Sequence, residues 1–263
     1  MKLLSTLTAA LLLAASLHAD DPKARSLMEQ VDARDDGDNM TAESVMILID
    51  KNNDQRVRKM KRFIKDKGED VLSMVFFLEP ADVKETGFLT YDYDDSAKDD
   101  DQWLYLPALK KSKRIANDDK SGSFMGSDLT YGDMTKPDLD NYDYKILGEK
   151  EVGGHKTVLI QATPRSEKVV DTYGYTKSVL FVRPDIAMVV RALHYVKEGD
   201  KLKYFDITNL EQIDGVWTAT ETQVTTKKGK RTLHKTILKV DNVKYNQPLE
   251  ESMFTVRTLE KGL

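Results

Sequence analysis

The sequence predicts a mainly β protein with minor α: a half-open, strongly curved antiparallel β-barrel of about eleven strands, capped by short helices and a loop. Three observations lead there. Apolar and polar residues alternate with period two through much of the chain. Glycine, proline and Asn/Asp turn signals punctuate those runs at hairpin spacing. No Pro-, Gly- or Ser-rich linker divides the 263 residues, so residues 20–263 are expected to form a single domain.

The N-terminus reads differently from the rest. Lys2 precedes an apolar run from Leu3 to Leu17, and Ala19 stands just before Asp20 and Asp21. A short positive region, an apolar core and a small residue before an acidic start are the parts of a secretory signal. Residues 1–19 are therefore expected to be a signal peptide cleaved after Ala19, although Leu17 is bulky for the −3 position. The run is short for a membrane span, which needs about 20 residues. Export of this kind places a soluble mature chain in the periplasm.

Pro22 opens a short helical pattern, with Ala24, Leu27, Met28 and Val31 on one face. The period then changes to two. Residues 40–48, 55–65 and 71–78 read as a meander turning at Asn52-Asn53-Asp54 and Lys67-Gly68-Glu69-Asp70. Arg56 to Arg62 is basic, which suits a sheet with one solvated side. Residues 88–93 and 102–106 are short strands either side of an acidic loop, and a basic segment, 107–115, ends as a strand. Residues 116–138 have no clean period and mix Gly122, Gly126, Gly132 and Pro137 with Phe124, Met125, Leu129, Tyr131 and Met134. A segment of that kind is expected to be a lid or binding loop. Strands resume at 142–152, 155–163, 176–182, 188–197, 202–213, 216–226 and 232–243. Residues 248–259 are expected to dock Phe254 and Val256 on the sheet.

Composition removes several functions. With no cysteine, the chain makes no disulfide, thiolate nucleophile, Cys-ligated metal site or lipidated cysteine. The net charge is −4; without residues 1–19 it is −5, from 39 basic against 44 acidic side chains. That mixed, mildly acidic surface does not suit nucleic acid. Asp32 to Glu43 matches an EF-hand loop at its first, fifth, sixth and twelfth positions, but Arg34 and Asn39 break the pattern and a strand follows. The acidic residues from Asp92 to Asp101 read as a solvated hairpin tip. His155, His194 and His234 lack metal-ligand spacing, and there is no G-x-S-x-G or phosphate-cradling glycine loop. No metal, cofactor or catalytic activity is expected.

The informative feature is the distribution of flexible apolar residues. Met46, Met60, Met74, Met125 and Met134 all fall in the first half, and methionine adapts to irregular partners such as acyl chains. Leu72, Met74, Phe76 and Leu78 share one strand face; Val71, Val75 and Phe77 share the other. Both faces are apolar, so alternation does not choose between them.

Two motifs resemble those of the outer-membrane lipoprotein-sorting protein family, relatives of the periplasmic lipoprotein carrier and its outer-membrane receptor. They are Trp103-Leu104-Tyr105-Leu106-Pro107-Ala108-Leu109-Lys110-Lys111, followed by Arg114-Ile115, and Ser123-Phe124-Met125-Gly126-Ser127-Asp128-Leu129-Thr130-Tyr131. Asp214-Gly215-Val216-Trp217 and Phe254-Thr255-Val256 fit the same pattern. The resemblance implies a hydrophobic cavity beneath helices and a loop. It also implies transport of a lipid or acylated lipoprotein between membranes, with transient membrane contact and an inner-membrane RND-type transporter as partner. The expected ligand contacts from the strands are Met46, Leu48, Met60, Met74, Phe76 and Leu78. Trp103, Tyr105, Phe124 and Met125 complete the set, and Asp at Phe76 or Phe124 should abolish uptake while leaving the fold intact. A transporter adaptor that binds no lipid is the alternative reading, with an esterase or glycosidase a distant third.

Overall fold

Thirteen strands form one antiparallel sheet in the computed structural model, which describes residues 20–263. The expected signal peptide lies outside the described residues. Helix α1 (Pro22–Asp32) is followed by a first meander of β1 (Asn39–Asp50), β2 (Gln55–Lys67), β3 (Asp70–Glu79), β4 (Gly87–Asp92), β5 (Asp101–Leu106) and β6 (Lys111–Arg114). The second meander is β7 (Tyr142–Val152), β8 (His155–Pro164), β9 (Tyr175–Arg183), β10 (Met188–Val196), β11 (Lys201–Ile213), β12 (Val216–Lys228) and β13 (Arg231–Tyr245). Helix α2 (Glu167–Tyr173) joins β8 to β9, and α3 (Val256–Lys261) ends the chain. The sheet is strongly curved and open. Its strand count exceeds the expected eleven, and the basic segment expected to end as a strand does so at Lys111–Arg114.

Local chemistry explains the element ends. Asp21 caps α1 by accepting from the backbone N–H groups of Lys23 and Ala24 at 2.9 and 3.4 Å, with Pro22 at the first helical position. Asp50 Oδ1 accepts from the N–H groups of Asn52 and Asp54 at 2.7 and 3.0 Å, which folds the first hairpin. At 153–154 two successive residues need positive φ, +58° and +79°, and both are glycine. Helix α2 has no counterpart in the strand periodicity; Ser166 caps it and Gly174 ends it at φ +80°.

The strand order is β6-β5-β4-β3-β2-β1-β13-β12-β11-β10-β9-β8-β7. The two meanders join where β1 pairs with β13, so β6 and β7, successive in the chain, lie on opposite edges. The connection, residues 115–141, therefore runs across one face, here called the inner face. A row of paired residues marks that face through seven strands: Leu48, Thr236, Val224, Phe205, Ala192, Leu180 and Ile160.

Far from lying free, the crossover is built into the protein. Ser123 bridges Thr130, and the N–H of Phe124 donates to the Leu129 carbonyl at 2.7 Å, so the central motif forms a small hairpin. Phe124 is buried against Phe77, Phe88 and Tyr131. Asp128 is buried at the middle of the sheet, where it accepts from Thr226 Oγ1 at 2.5 Å and Thr236 Oγ1 at 2.7 Å. His234 Nδ1 lies 2.6 Å from the same carboxylate, and the Asp128 N–H donates to Thr236 Oγ1 at 2.9 Å. Farther along, Gly132 passes so close to α2 that a Cβ there would lie 2.9 Å from the Thr172 carbonyl oxygen.

Three clusters make up the core. One packs β1–β5 beneath the crossover hairpin on the inner face. A second packs β7–β9 beneath α1, α2 and the end of the crossover. The third lies on the outer face, where Phe63, Leu72, Met74, Phe76 and Leu89 meet Phe254 and Leu259 of the C-terminal segment. Phe254 docks as expected, and Tyr91 Oη donates to its carbonyl at 2.6 Å.

Replacing Asp128 with Ala would leave Thr226 and Thr236 without their shared acceptor in a buried place. Asp128→Ala should lower unfolding free energy by about 3 kcal/mol, measured by urea denaturation; a loss below about 0.5 kcal/mol would contradict the pinning role.

Candidate functional site

The inner face holds two adjoining compartments, separated by crossover residues 133–136. The first is an apolar cavity of about 390 Å³, within the range of about 300–1,000 Å³ typical of small-molecule sites. Helix α1 contributes Met28 and Val31, the crossover Leu129 and Leu139, and β7–β10 the floor, including Tyr144, Ala162, Leu180 and Ala192. Helix α1 is amphipathic, and its Ala24 and Met28 are buried toward this region. Asp20 and Asp21 hold the helix against the sheet: Asp20 Oδ1 accepts from the Tyr144 N–H at 2.7 Å, and the Asp21 N–H donates to the Tyr144 carbonyl at 2.8 Å.

Among the polar groups on this floor, His194, Ser178 and Tyr175 are hydrogen-bonded. His194 stacks on Tyr175, with ring centroids 4.5 Å apart, and its Nδ1 is 2.8 Å from Ser178 Oγ. Burial pushes His194 down to about 4, so it is neutral at pH 7. Burial likewise raises the phenols of Tyr142, Tyr144, Tyr173 and Tyr175. Tyr175 Oη donates to Asp133 Oδ2 at 2.7 Å, tying the crossover to β9. Such a surface suits hydrocarbon better than a polar solute.

The second compartment, of about 330 Å³, lies between the crossover and β1–β4, β12 and β13. It is more polar, with Arg62, Ser73, Thr90 and Thr218 among its walls. Asp133, Thr135 and Lys136 line both compartments.

The ten expected contacts are divided between the two faces. Met46, Leu48, Met60, Phe124 and Met125 come together on the inner face, within the cluster under the crossover hairpin. Met74, Phe76, Trp103 and Tyr105 belong to the outer cluster under the C-terminal segment. Leu78, near the end of β3, is 37% exposed. The lining of the apolar cavity includes none of the ten. Phe76 and Phe124 are both 1% exposed, so an Asp at either place would bury an unpaired charge and unsettle the fold, contrary to the expectation that it would be spared. Cavity residues that sequence reasoning missed include Tyr142, Tyr144, Tyr173 and Tyr175; their spacing by two along the chain was the available signal.

The open, curved antiparallel sheet recurs in solved structures, one of them a domain named for outer membrane lipoprotein sorting. A family profile described as "-like: Uncharacterized protein" matches residues 69–261. The crystal structure of a DUF1329 family protein from Desulfovibrio piger is 31% identical, with a TM-score of 0.82 over 90% of this chain and 98% of that one. A candidate outer membrane lipoprotein-sorting protein domain from Vibrio parahaemolyticus is 29% identical, with a TM-score of 0.81 over the same shares of the two chains. A LolA superfamily protein from Nitrosomonas europaea shares the fold at 17% identity, with a TM-score of 0.66 over 89% of this chain and 98% of that one. Among curated proteins none matches. The chain belongs to the DUF1329 family.

Two half-buried aspartates, Asp92 in the wall of the polar compartment and Asp138 outside it, make stability depend on pH. Burial, reinforced by Asp100, pushes Asp92 up to about 7; burial, again with Asp100, pushes Asp138 up to about 6. Both values exceed an unfolded aspartate's, near 3.9, so the folded state holds these protons more tightly and loses stability as pH rises from about 4 to 7. The urea midpoint should therefore be higher at pH 5 than at pH 8. Asp92→Asn should raise it at pH 8 and flatten the profile; an unchanged profile would contradict the burial of Asp92.

Proposed function

We propose that this protein is a periplasmic carrier that binds a lipid, or an acyl chain of a lipoprotein, and shuttles it between the inner and outer membranes. An inner-membrane RND-type transporter is the partner in this reading, and contact with either membrane is transient. The observation that carries the proposal is the apolar cavity between α1, the crossover and the floor of β7–β10. The likeness to a domain named for outer membrane lipoprotein sorting supports it. So do the secretory features of residues 1–19.

The energetics suit a shuttle. Each buried CH₂ contributes about 0.8 kcal/mol, the same gain a bilayer offers. A carrier therefore has to match the membrane and release its cargo by a structural change. The crossover hairpin is the element placed for that change, since it covers Met46, Leu48 and Met60. Displacing it would extend the cavity over these residues and join Phe124 and Met125 to the ligand surface.

The adaptor reading has one observation of its own: Arg56, Val57 and Lys59 present an exposed, basic end of β2. It differs from the carrier reading in requiring no lipid.

Narrowing the cavity tests the proposal. Ala192 and Ala162 are buried in its floor, and Ala192→Phe or Ala162→Phe would fill it. Each should weaken binding of a fluorescent fatty acid by about tenfold or more, with a cooperative thermal transition retained. Wild-type protein that takes up no fatty acid would favour the adaptor. Undiminished binding by both variants would place the ligand elsewhere.

A further inference from the structure

Arg62 is the outlying group in the polar compartment. On β2 the inner-facing residues are Arg58, Met60, Arg62 and Ile64, and Arg62 pairs with Ala42 on one side and Val75 on the other. Neither neighbour offers a polar partner. Its Nε is buried without a hydrogen bond, and no carboxylate lies within ion-pair distance of its guanidinium among the described residues. Arg58, four residues away on the same face, differs: it donates to the Met125 carbonyl.

The carboxylates around the compartment are otherwise engaged. Asp36 pairs with Lys136 at 3.6 Å. Asp92 Oδ2 accepts from the Lys136 N–H at 2.8 Å, and Asp133 Oδ2 accepts from Tyr175 and the Thr130 N–H. Asp66 is drawn toward its neutral form by burial. A second wall group is also unpaired: Thr90 Oγ1 is buried without a partner. Thr218 and Tyr245 add a hydroxyl pair, 2.8 Å apart.

A guanidinium partly withdrawn from water without an anion is destabilising, whereas a methionine of similar length would pack at this place without that penalty. A guanidinium keeps its charge at neutral pH and presents a planar fork that matches phosphate and carboxylate oxygens. The polar compartment and the apolar cavity share the walls Asp133, Thr135 and Lys136, so a head group in one lies beside a tail in the other.

We propose that Arg62, with the Thr90 hydroxyl of the same compartment, binds the anionic head group, phosphate or carboxylate, of the amphiphile whose tail occupies the apolar cavity. This rests on the carrier reading and adds a chemical class to it: acidic amphiphiles are selected over neutral ones with the same chain.

Isothermal titration with 1-palmitoyl lysophosphatidate, 1-monopalmitoylglycerol and inorganic phosphate separates the possibilities, since the two amphiphiles differ only in the phosphate. The wild-type protein should prefer the lysophosphatidate by at least about tenfold. Arg62→Met should erase that preference and leave monopalmitoylglycerol affinity unchanged. Arg62→Lys, which keeps the charge but loses the fork, should retain part of it; a cooperative thermal transition establishes that both variants fold. Equal affinity of wild type for the two amphiphiles would overturn the inference while leaving the carrier reading intact, as would a preference that survives Arg62→Met. Inorganic phosphate binding as tightly as the lysophosphatidate would overturn the assignment to an amphiphile. Failure of both amphiphiles to bind would overturn the carrier reading itself.

Discussion

The connection between β6 and β7 governs the rest of the architecture. These strands follow each other in the chain yet form opposite edges of a thirteen-stranded sheet, because β1 pairs with β13 at its centre. Residues 115–141 have to cross the inner face, and a backbone laid over apolar side chains must satisfy its own polar groups. It does so by folding into a hairpin and by sharing hydrogen bonds with the sheet. Gln102 Nε2 donates to the Tyr131 carbonyl at 2.8 Å, and Asp128 gathers Thr226, Thr236 and His234. The buried position of Asp128 gives the second sequence motif a physical reason: it is the anchor of the crossover.

That crossing also divides the inner face. Under its first half the side chains of β1–β5 meet Phe124 and are closed. Beyond Asp133 the chain climbs toward β7, and α1 and α2 fill the gap only in part. The apolar cavity is what remains. The outer face needs no such arrangement, since a short C-terminal segment with Phe254 and Leu259 suffices to cover β2–β5. Gly87 accommodates it: a Cβ there would lie 2.5 Å from Leu259 Cδ1.

Much of this was legible in the sequence. Period-two alternation and the Asn, Asp and Gly turns placed nearly every strand, and Pro22 with the apolar face of residues 24–31 marked α1. The pairing of β1 with β13 was not, because alternation reports which face a residue occupies and nothing about a partner some two hundred residues away. Without that pairing, residues 116–138 show no sign in the sequence of joining opposite edges of one sheet. The ligand contacts suffered for a related reason. Residues 71–77 of β3 are apolar on both faces, and only tertiary packing assigns Val75 and Phe77 inward and Met74 and Phe76 outward. Seven-residue α2 is too short for its periodicity to show beside long strands.

The functional account joins an apolar cavity, a polar compartment holding Arg62 beside it and a crossover that borders both. Native mass spectrometry of the protein isolated from the cells that make it, with extraction and identification of what it holds, tests this most directly. The account predicts close to one lipid or acylated species per chain. Protein that carries none, and takes up none after incubation with membranes, would contradict it.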